Sequence, residues 1–354
     1  MLDDAQILVT GGCGFIGSNF ILHLLKRYPG CRVVNLDKLT YASNPANLRD
    51  VEGDRRYHFV QGDICDTALV DELMAGADVV FNFAAESHVD RSLMEAGSFI
   101  QTDVLGTYVL LDAARRHSNV RRFVQVSTDE VYGDLPPGVY AHESDALHPR
   151  SPYAASKAGG DAQCIAFFET YGVPVIITRA ANNIGPRQHV EKAVPLFVTS
   201  ALQDQPLPLY GDGRQVRDWL YVEDHCRALD LAAREGEPGE VYNIGADNHQ
   251  ENIEVAKALL QLLEKPLSLI HFVEDRKGHD RRYAVDASKL RALGWAPEHD
   301  FASALERTVR WYQENRWWWE PTWSSPAFRD YYDQQYGQRL AAGVPYGREG
   351  GSGL

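Results

Sequence analysis

Three glycines between a short apolar run and an apolar helical pattern constrain this chain more than any other feature. Gln6-Ile7-Leu8-Val9-Thr10 reads as a buried strand and Phe20-Ile21-Leu22-His23-Leu24-Leu25 as a helix, with Gly11, Gly14, Phe15, Ile16 and Gly17 between them. Without Cβ atoms the backbone can turn sharply and approach a pyrophosphate, which the N-terminal end of the helix stabilises. A glycine turn alone is weak evidence. Here a second strand, Arg32-Val33-Val34-Asn35-Leu36, ends in Asp37, twenty residues past Gly17, where an acidic side chain would hold the adenosine ribose hydroxyls. A carboxylate repels a 2′-phosphate, so the pattern points to NAD rather than NADP. It predicts a Rossmann-type, doubly wound parallel sheet of the α/β class, followed by a smaller, mixed α/β C-terminal substrate domain.

Further strands follow. Tyr57-His58-Phe59-Val60 leads to Gly62-Asp63-Ile64, an adenine-side loop, and Asp78-Val79-Val80-Phe81-Asn82-Phe83 opens into Ala84-Ala85-Glu86-Ser87-His88-Val89-Asp90-Arg91-Ser92. Two alanines at a strand end allow close approach of a cofactor, while Asp90 and Arg91 alone could equally be a solvated pair. A helix over about 98–117 carries Thr102 and Asp103 near its start and Leu105, Val109, Leu110 and Ala113 on one face. The run Arg122-Phe123-Val124-Gln125-Val126 then delivers Ser127, Thr128, Asp129 and Glu130 to the carboxyl end of a strand, where ligands of parallel sheets bind. The Pro- and Gly-rich loop 134–149 is expected to be mobile or to cover substrate. Tyr153 and Lys157, at i and i+4, share a helix face. A neighbouring ammonium and an oxidised nicotinamide would lower the phenol pKa from about 10 and make Tyr153 a usable base. Tyr-x-x-x-Lys by itself is a frequent surface pattern; the dinucleotide fingerprint gives it weight.

In the second half a strand, Val173 to Arg179, leads to Asn182 and Asn183, then Glu191-Lys192 and an apolar helix from Ala193 to Leu202. Pro208 and Tyr210 precede a glycine turn and the Arg217 segment. Lys192 and Arg217 are cations suited to a diphosphate, or else ordinary surface ion pairs. The segment Arg276-Lys277-Gly278-His279-Asp280-Arg281-Arg282 is a phosphate clamp or a solvated loop. Three consecutive tryptophans, Trp317 to Trp319, cannot all face one core, so at least one should meet another segment or subunit.

A formal charge of −14 disfavours nucleic acid and anionic membrane as partners. Five scattered cysteines without CxxC spacing argue against a disulfide framework or structural zinc, and no histidine grouping suggests a metal. The first strand begins almost at once, leaving no room for a signal peptide, and no run of about 20 apolar residues is present. The expected location is cytoplasmic.

The TGGxGFIG start, Asp37 and YxxxK resemble the extended short-chain dehydrogenases/reductases. Within them, residues 84–92, Ser127-Thr128-Asp129-Glu130-Val131-Tyr132-Gly133, Arg217-Asp218-Trp219-Leu220-Tyr221-Val222-Glu223-Asp224-His225 and Gly278-His279-Asp280-Arg281-Arg282-Tyr283 resemble the nucleotide-sugar 4,6-dehydratases acting on dTDP-glucose. The likeness runs from residue 5 to about 320. It implies an NAD site formed by Gly11, Gly14, Phe15, Ile16, Gly17, Asp37, Lys38, Thr40, Asp63, Ile64, Ala84, Ala85, Ser87, Thr102, Tyr153, Lys157 and Asn183. For a nucleoside diphosphate sugar it implies Ser87, His88, Thr128, Glu130, Asn182, Glu191, Lys192, Pro208, Tyr210, Arg217, Asn252, Arg276, His279 and Tyr283. Thr128, Asp129, Glu130, Tyr153 and Lys157 are the implied catalytic set: Tyr153 as base for C4 oxidation, Glu130 as base at C5 and Asp129 as acid for the 6-hydroxyl, although the residues alone permit the reverse assignment of the two carboxyls.

The expected division is 1–180 for NAD, completed by segments near 215–245; 181–320 for the nucleotide sugar; and a tail, 321–354, whose last residues should lack fixed structure. The resemblance also implies a homodimer through the helices near 98–117 and 153–170, Gly159-Gly160 allowing close helix approach. Asp103, Ala181 and Ile184 depart from the usual Asn, Ser and Tyr and are expected on the ligand walls, which bears on the choice of base. The alternatives are a nucleotide-sugar 4-epimerase, a 4,6-dehydratase of another nucleoside diphosphate glucose, and an NAD-binding regulatory protein without turnover.

Overall fold

The computed structural model describes residues 1–347; the expectation for the last seven residues lies outside them. The first strand forms as β1 (Gln6–Thr10), flanked by β2 (Arg32–Asp37) and then β3 (Tyr57–Gln61). On the other side of β1 come β4 (Val79–Asn82), β5 (Arg122–Thr128) and β6 (Val175–Ala180). The chain then leaves through β7 (Asn182–Ile184), β8 (Leu207–Tyr210) and β9 (Val216–Tyr221), and returns as β10 (Val241–Ile244), parallel to β6. This seven-stranded parallel sheet, in the order β10-β6-β5-β4-β1-β2-β3, changes direction between β1 and β4, where a crevice opens beyond the strand ends. The fold is Rossmann-type. Its central strands are covered on both faces, which is why they read as continuous apolar runs. The polar residues among them are matched: Thr10 Oγ1 donates to Asn82 Oδ1 (2.5 Å), and Asn82 Nδ2 to Gln125 Oε1 (2.8 Å).

A smaller layer contains β11 (His249–Glu251), β12 (Ile270–Val273) and β13 (Val344–Pro345). The β9 strand pairs here with β7 and β11 rather than in the main sheet, and β8, β12 and β13 form a second three-stranded sheet. We propose that the cofactor domain is residues 1–180 completed by β10, and the substrate domain 181–320 with the C-terminal helices docked on it. Those helices, Arg316–Trp323 and Pro326–Tyr332, are folded onto the second core. Trp319 is fully buried and donates to Tyr312 O (2.9 Å); Trp318 reaches another segment, donating to Asn47 Oδ1 (2.7 Å); Trp317 stays half exposed beneath Arg49.

Three local expectations change. The helix over 97–116 contains a π-helical stretch, Ile100–Gly106. Its i→i+5 bonding adds a residue to the turn, so Leu105 rotates out to solvent while Val109, Leu110 and Ala113 stay buried. The glycines Gly159 and Gly160 serve packing within the chain. A Cβ on Gly159 would lie 2.8 Å from Val104 Cγ2, and one on Gly160 2.9 Å from Asp103 O. The loop 134–149 is tied down rather than mobile: Leu135 N donates to Arg282 O (3.0 Å), Ala141 N to Ala284 O (3.0 Å), and Asp134 Oδ1 accepts from Arg281 N (2.7 Å).

Replacing Trp319 with Ala removes a fully buried ring and its indole hydrogen bond. The expected loss is about 3–5 kcal/mol, read as a lower urea midpoint with unchanged slope.

Candidate active site

At the crevice, Gly11 adopts φ +68°, and a Cβ there would stand 2.7 Å from Ala84 N, so the ends of β1 and β4 approach closely only with glycine. A Cβ on Gly14 would meet only Gly11 O, at 3.2 Å, which leaves this side open as a cradle. The helix Phe15–Arg27 begins here with no side-chain cap and no acidic residue in its first turn, a free N-terminus for a phosphate anion. Asp37, nearly buried, accepts from Cys13 N and Ser43 Oγ, both at 2.8 Å. Lys38 is paired with Asp63 (2.7 Å), so no free cation sits beside Asp37 to favour a 2′-phosphate. One cleft brings together all of the expected cofactor residues, from Gly11 through Asn183, with Thr128, Asp129, Glu130, Tyr153, Asn182 and Lys192. The buried Asn182 Oδ1 has no hydrogen-bond partner among the described residues. These features fit a dinucleotide.

Thr128 ends β5 and caps the following 3₁₀ turn, Asp129–Tyr132, accepting from Glu130 N (3.3 Å). The turn therefore lifts both carboxyls to the sheet edge. Beneath it lies a buried ion pair, Arg179 to Asp161 at 2.9 Å, with Arg179 also donating to Tyr132 OH (2.8 Å). Burial and the Glu130 charge hold the Asp129 carboxyl well above its ordinary range, against Arg217. Burial also raises Glu130, but three cations, Arg276, Arg217 and Lys192, oppose it. The chain thus favours a proton on Asp129 and charge on Glu130.

The expectation for Tyr153 is corrected. Burial, then the Glu130 and Asp103 charges, push its phenol well above the usual value. Lys157 is turned to the Val126 carbonyl (2.6 Å). The chain surrounds this phenol with carboxyls, so lowering its pKa falls to a positive charge entering the cleft.

The remaining expected substrate residues do not line that cleft. Most have partners within the chain, although the buried His88 Nδ1 and Arg276 Nε have none among the described residues. Arg276 pairs with buried Asp90 (3.1 Å), Arg91 with Glu191 (2.6 Å), and His279 with Asp275 (2.6 Å). Asp90 and Arg91 are thus not a solvated pair. His88 contacts Glu191 O (3.0 Å), Arg217 Nη2 donates to Asp280 O (2.9 Å), and Tyr283 OH to Asp280 Oδ2 (2.7 Å), with Glu130 Oε2 at 3.4 Å. Tyr210 OH donates to Asp90 Oδ2 (3.0 Å); Pro208 is buried in β8, and half-buried Asn252 opens the helix Asn252–Leu262. Of the three departures, Ala181 lines the cleft, while Ile184 packs in the second core and Asp103 sits behind the wall. Sequence reasoning missed Glu86, Ser127, Gln188, His189 and His225 as lining residues. Glu86 lay within the polar series after β4, and His225 only four residues beyond β9. His225, lowered by burial to about 3, stays neutral with Nδ1 3.0 Å from Asn183 Oδ1.

The family described as GDP-mannose 4,6-dehydratase matches residues 8–308. The chain belongs to this dehydratase family. A dTDP-glucose 4,6-dehydratase of Actinoplanes sp. is 51% identical over 320 residues, covering 89% of this chain and 99% of the relative. The crystal structure of a dTDP-glucose 4,6-dehydratase from Streptomyces venezuelae, with NAD bound, has a TM-score of 0.87 at 51% identity, covering 89% of this chain and 99% of that one. The UDP-glucose 4-epimerase of Thermotoga maritima is more distant, at 30% identity and a TM-score of 0.81 over 88% of this chain and 99% of its own.

In this dehydratase-family chain the raised Asp129 carboxyl carries a stability consequence. Above the unfolded value of 3.8 the native state holds the extra proton, so burying Asp129 costs stability increasingly as pH rises. Asp129→Asn should therefore melt higher than the parent at about pH 8, the gap closing as pH falls towards about 4. Thermal melts across pH check this.

Proposed function

We propose that this protein converts dTDP-glucose to dTDP-4-dehydro-6-deoxyglucose as an NAD-dependent hydro-lyase. The carrying observation is the pair Asp129/Glu130 buried beside Tyr153 in the dinucleotide cleft, both carboxyls raised by burial but Glu130 opposed by three cations and Asp129 by Arg217 alone. Relatives of about half identical sequence over most of the chain bear that activity in their names. NAD, when bound, would supply the hydride acceptor for C4 and the hydride donor for C6. Tyr153 removes the 4-hydroxyl proton, with Thr128 hydrogen-bonding the same oxygen, and Lys157 braces the Val126 carbonyl beside them. The 4-ketone acidifies the C5 hydrogen, which Glu130 removes. Asp129 gives its proton to the departing 6-hydroxyl, water leaves, and Glu130 returns the proton to C5 as C6 gains hydride. The site supports this division better than the reverse, because three cations face Glu130.

The nucleoside diphosphate falls to Lys192, Arg217, Arg276 and His279, whose present carboxylate and carbonyl partners must give way to phosphate oxygens. No helix among the described residues is long and apolar enough to cross a membrane; we place the protein in the cytoplasm. We also propose a homodimer, supported by the exposed Ile100, Leu105, Tyr108 and Ile165 on the two long helices.

Glu130→Gln and Asp129→Asn should each lose about 10²–10⁴ in deoxysugar formation while C4 oxidation remains visible as NADH absorbance. Tyr153→Phe should abolish both signals. Product mass separates this reading from 4-epimerisation, which loses no water. Side-by-side turnover of dTDP-, UDP-, CDP- and GDP-glucose should favour dTDP-glucose; equal turnover of all four would remove thymidine from the assignment.

A further inference from the structure

Behind the cleft wall lies a carboxyl that the proposed mechanism does not use. Asp103 sits in the π-helical stretch Ile100–Gly106, a backbone irregularity often found at functional sites, and is almost fully buried. One of its oxygens accepts from Glu86 N (3.0 Å); the other lies 2.5 Å from Ser156 Oγ. Ser156 Oγ also lies 2.8 Å from the carbonyl oxygen of Tyr153. A hydroxyl has one proton to donate, so the chain Asp103–Ser156–Tyr153 has two arrangements. With Asp103 ionised, Ser156 donates to it. With Asp103 protonated, Asp103 donates to Ser156, which turns to donate to the Tyr153 carbonyl. Glycine at 160 lets the two helices come close enough for this contact, since a Cβ there would meet Asp103 O at 2.9 Å.

We propose that Asp103 is a positioning residue whose own proton, shared with Ser156, sets how readily Tyr153 gives up its phenolic proton. Asp103 acts on Tyr153 by charge and on Lys157 by attraction. The other groups in play are Glu86 on the β4 side, itself facing Arg91 and Lys38, and Glu130 and Asp129 on the turn after β5. Asp161, one helical turn beyond Lys157, is committed to Arg179. Burial raises Asp103 to about 6, against the pull of Lys157 and Ser156, so it is neutral below that pH and charged above it. Charged, it opposes phenolate formation. The alkaline gain in Tyr153 phenolate is thus curtailed once Asp103 ionises.

This inference rests on the reading of Tyr153 as the C4 base, and its test separates the two. Asn at 103 can satisfy the same partners, its carbonyl accepting from Glu86 N and its amide donating to Ser156, so Asp103→Asn imitates the protonated state permanently. In the NAD-loaded protein without sugar, ultraviolet difference titration against Tyr153→Phe reports the Tyr153 phenol directly. The midpoint should move to lower pH in Asp103→Asn. In single turnover with dTDP-glucose, the parent's rate of NADH formation should bend near pH 6, and that bend should vanish in the variant. Ser156→Ala, which removes a hydrogen bond that stabilises the Asp103 charge, should move the bend to higher pH. An unchanged midpoint and an unchanged bend in Asp103→Asn would overturn the inference. A shifted midpoint without any turnover of dTDP-glucose would sustain it and overturn the substrate assignment instead.

Discussion

Two adjacent carboxyls buried at the end of β5 impose the main physical demand on this structure. Withdrawing Asp129 and Glu130 from water is costly unless protons or cations compensate. The compensation comes from Lys192, Arg217 and Arg276, which belong to three separate segments of the second layer. The layer must therefore close over the carboxyl edge of the sheet, and its basic residues are spent first on holding the site together. Arg276 on Asp90 and Arg217 on backbone carbonyls are part of the same arrangement. An acidic protein concentrates its cations where one anionic ligand is to be exchanged for another.

Reactivity is divided by environment rather than residue type. Asp129 and Glu130 are neighbours with similar side chains, both raised by burial, yet only Arg217 opposes this at Asp129 while Arg276, Arg217 and Lys192 oppose it at Glu130. Tyr153 is held back by the same carboxyls and by Asp103 behind it. The chain by itself suppresses the phenolate; a cationic cofactor ring is what such a site requires to release it. This couples the oxidation step to an occupied dinucleotide cleft.

The parallel sheet was legible because its strands are buried on both faces and carry apolar runs, and because glycines 11 and 17 meet demands that only glycine satisfies. The strand ends at Asp37 and Thr128 fell where the pattern put them, and the expected cofactor residues share one cleft. Less legible were features with no period of their own. A π-helical turn inside 97–116 shifted Leu105 off the buried face, since sequence periodicity assumes a constant repeat. The loop 134–149 read as mobile or substrate-covering because its anchors at 281–286 are distant in sequence. The segment from 317 onward offered tryptophans but no pattern showing that they close the second core.

The sequence by itself determined the dinucleotide turn, the alternating α/β order and the presence of Thr128, Asp129, Glu130, Tyr153 and Lys157 at neighbouring strand and helix ends, because each depends on local spacing. Only the tertiary structure decided which carboxyl keeps its proton, where Lys157 points and that Asp103 lies behind Tyr153. Those outcomes depend on burial and on charges contributed from segments far apart in the chain, and neither quantity is carried by local spacing.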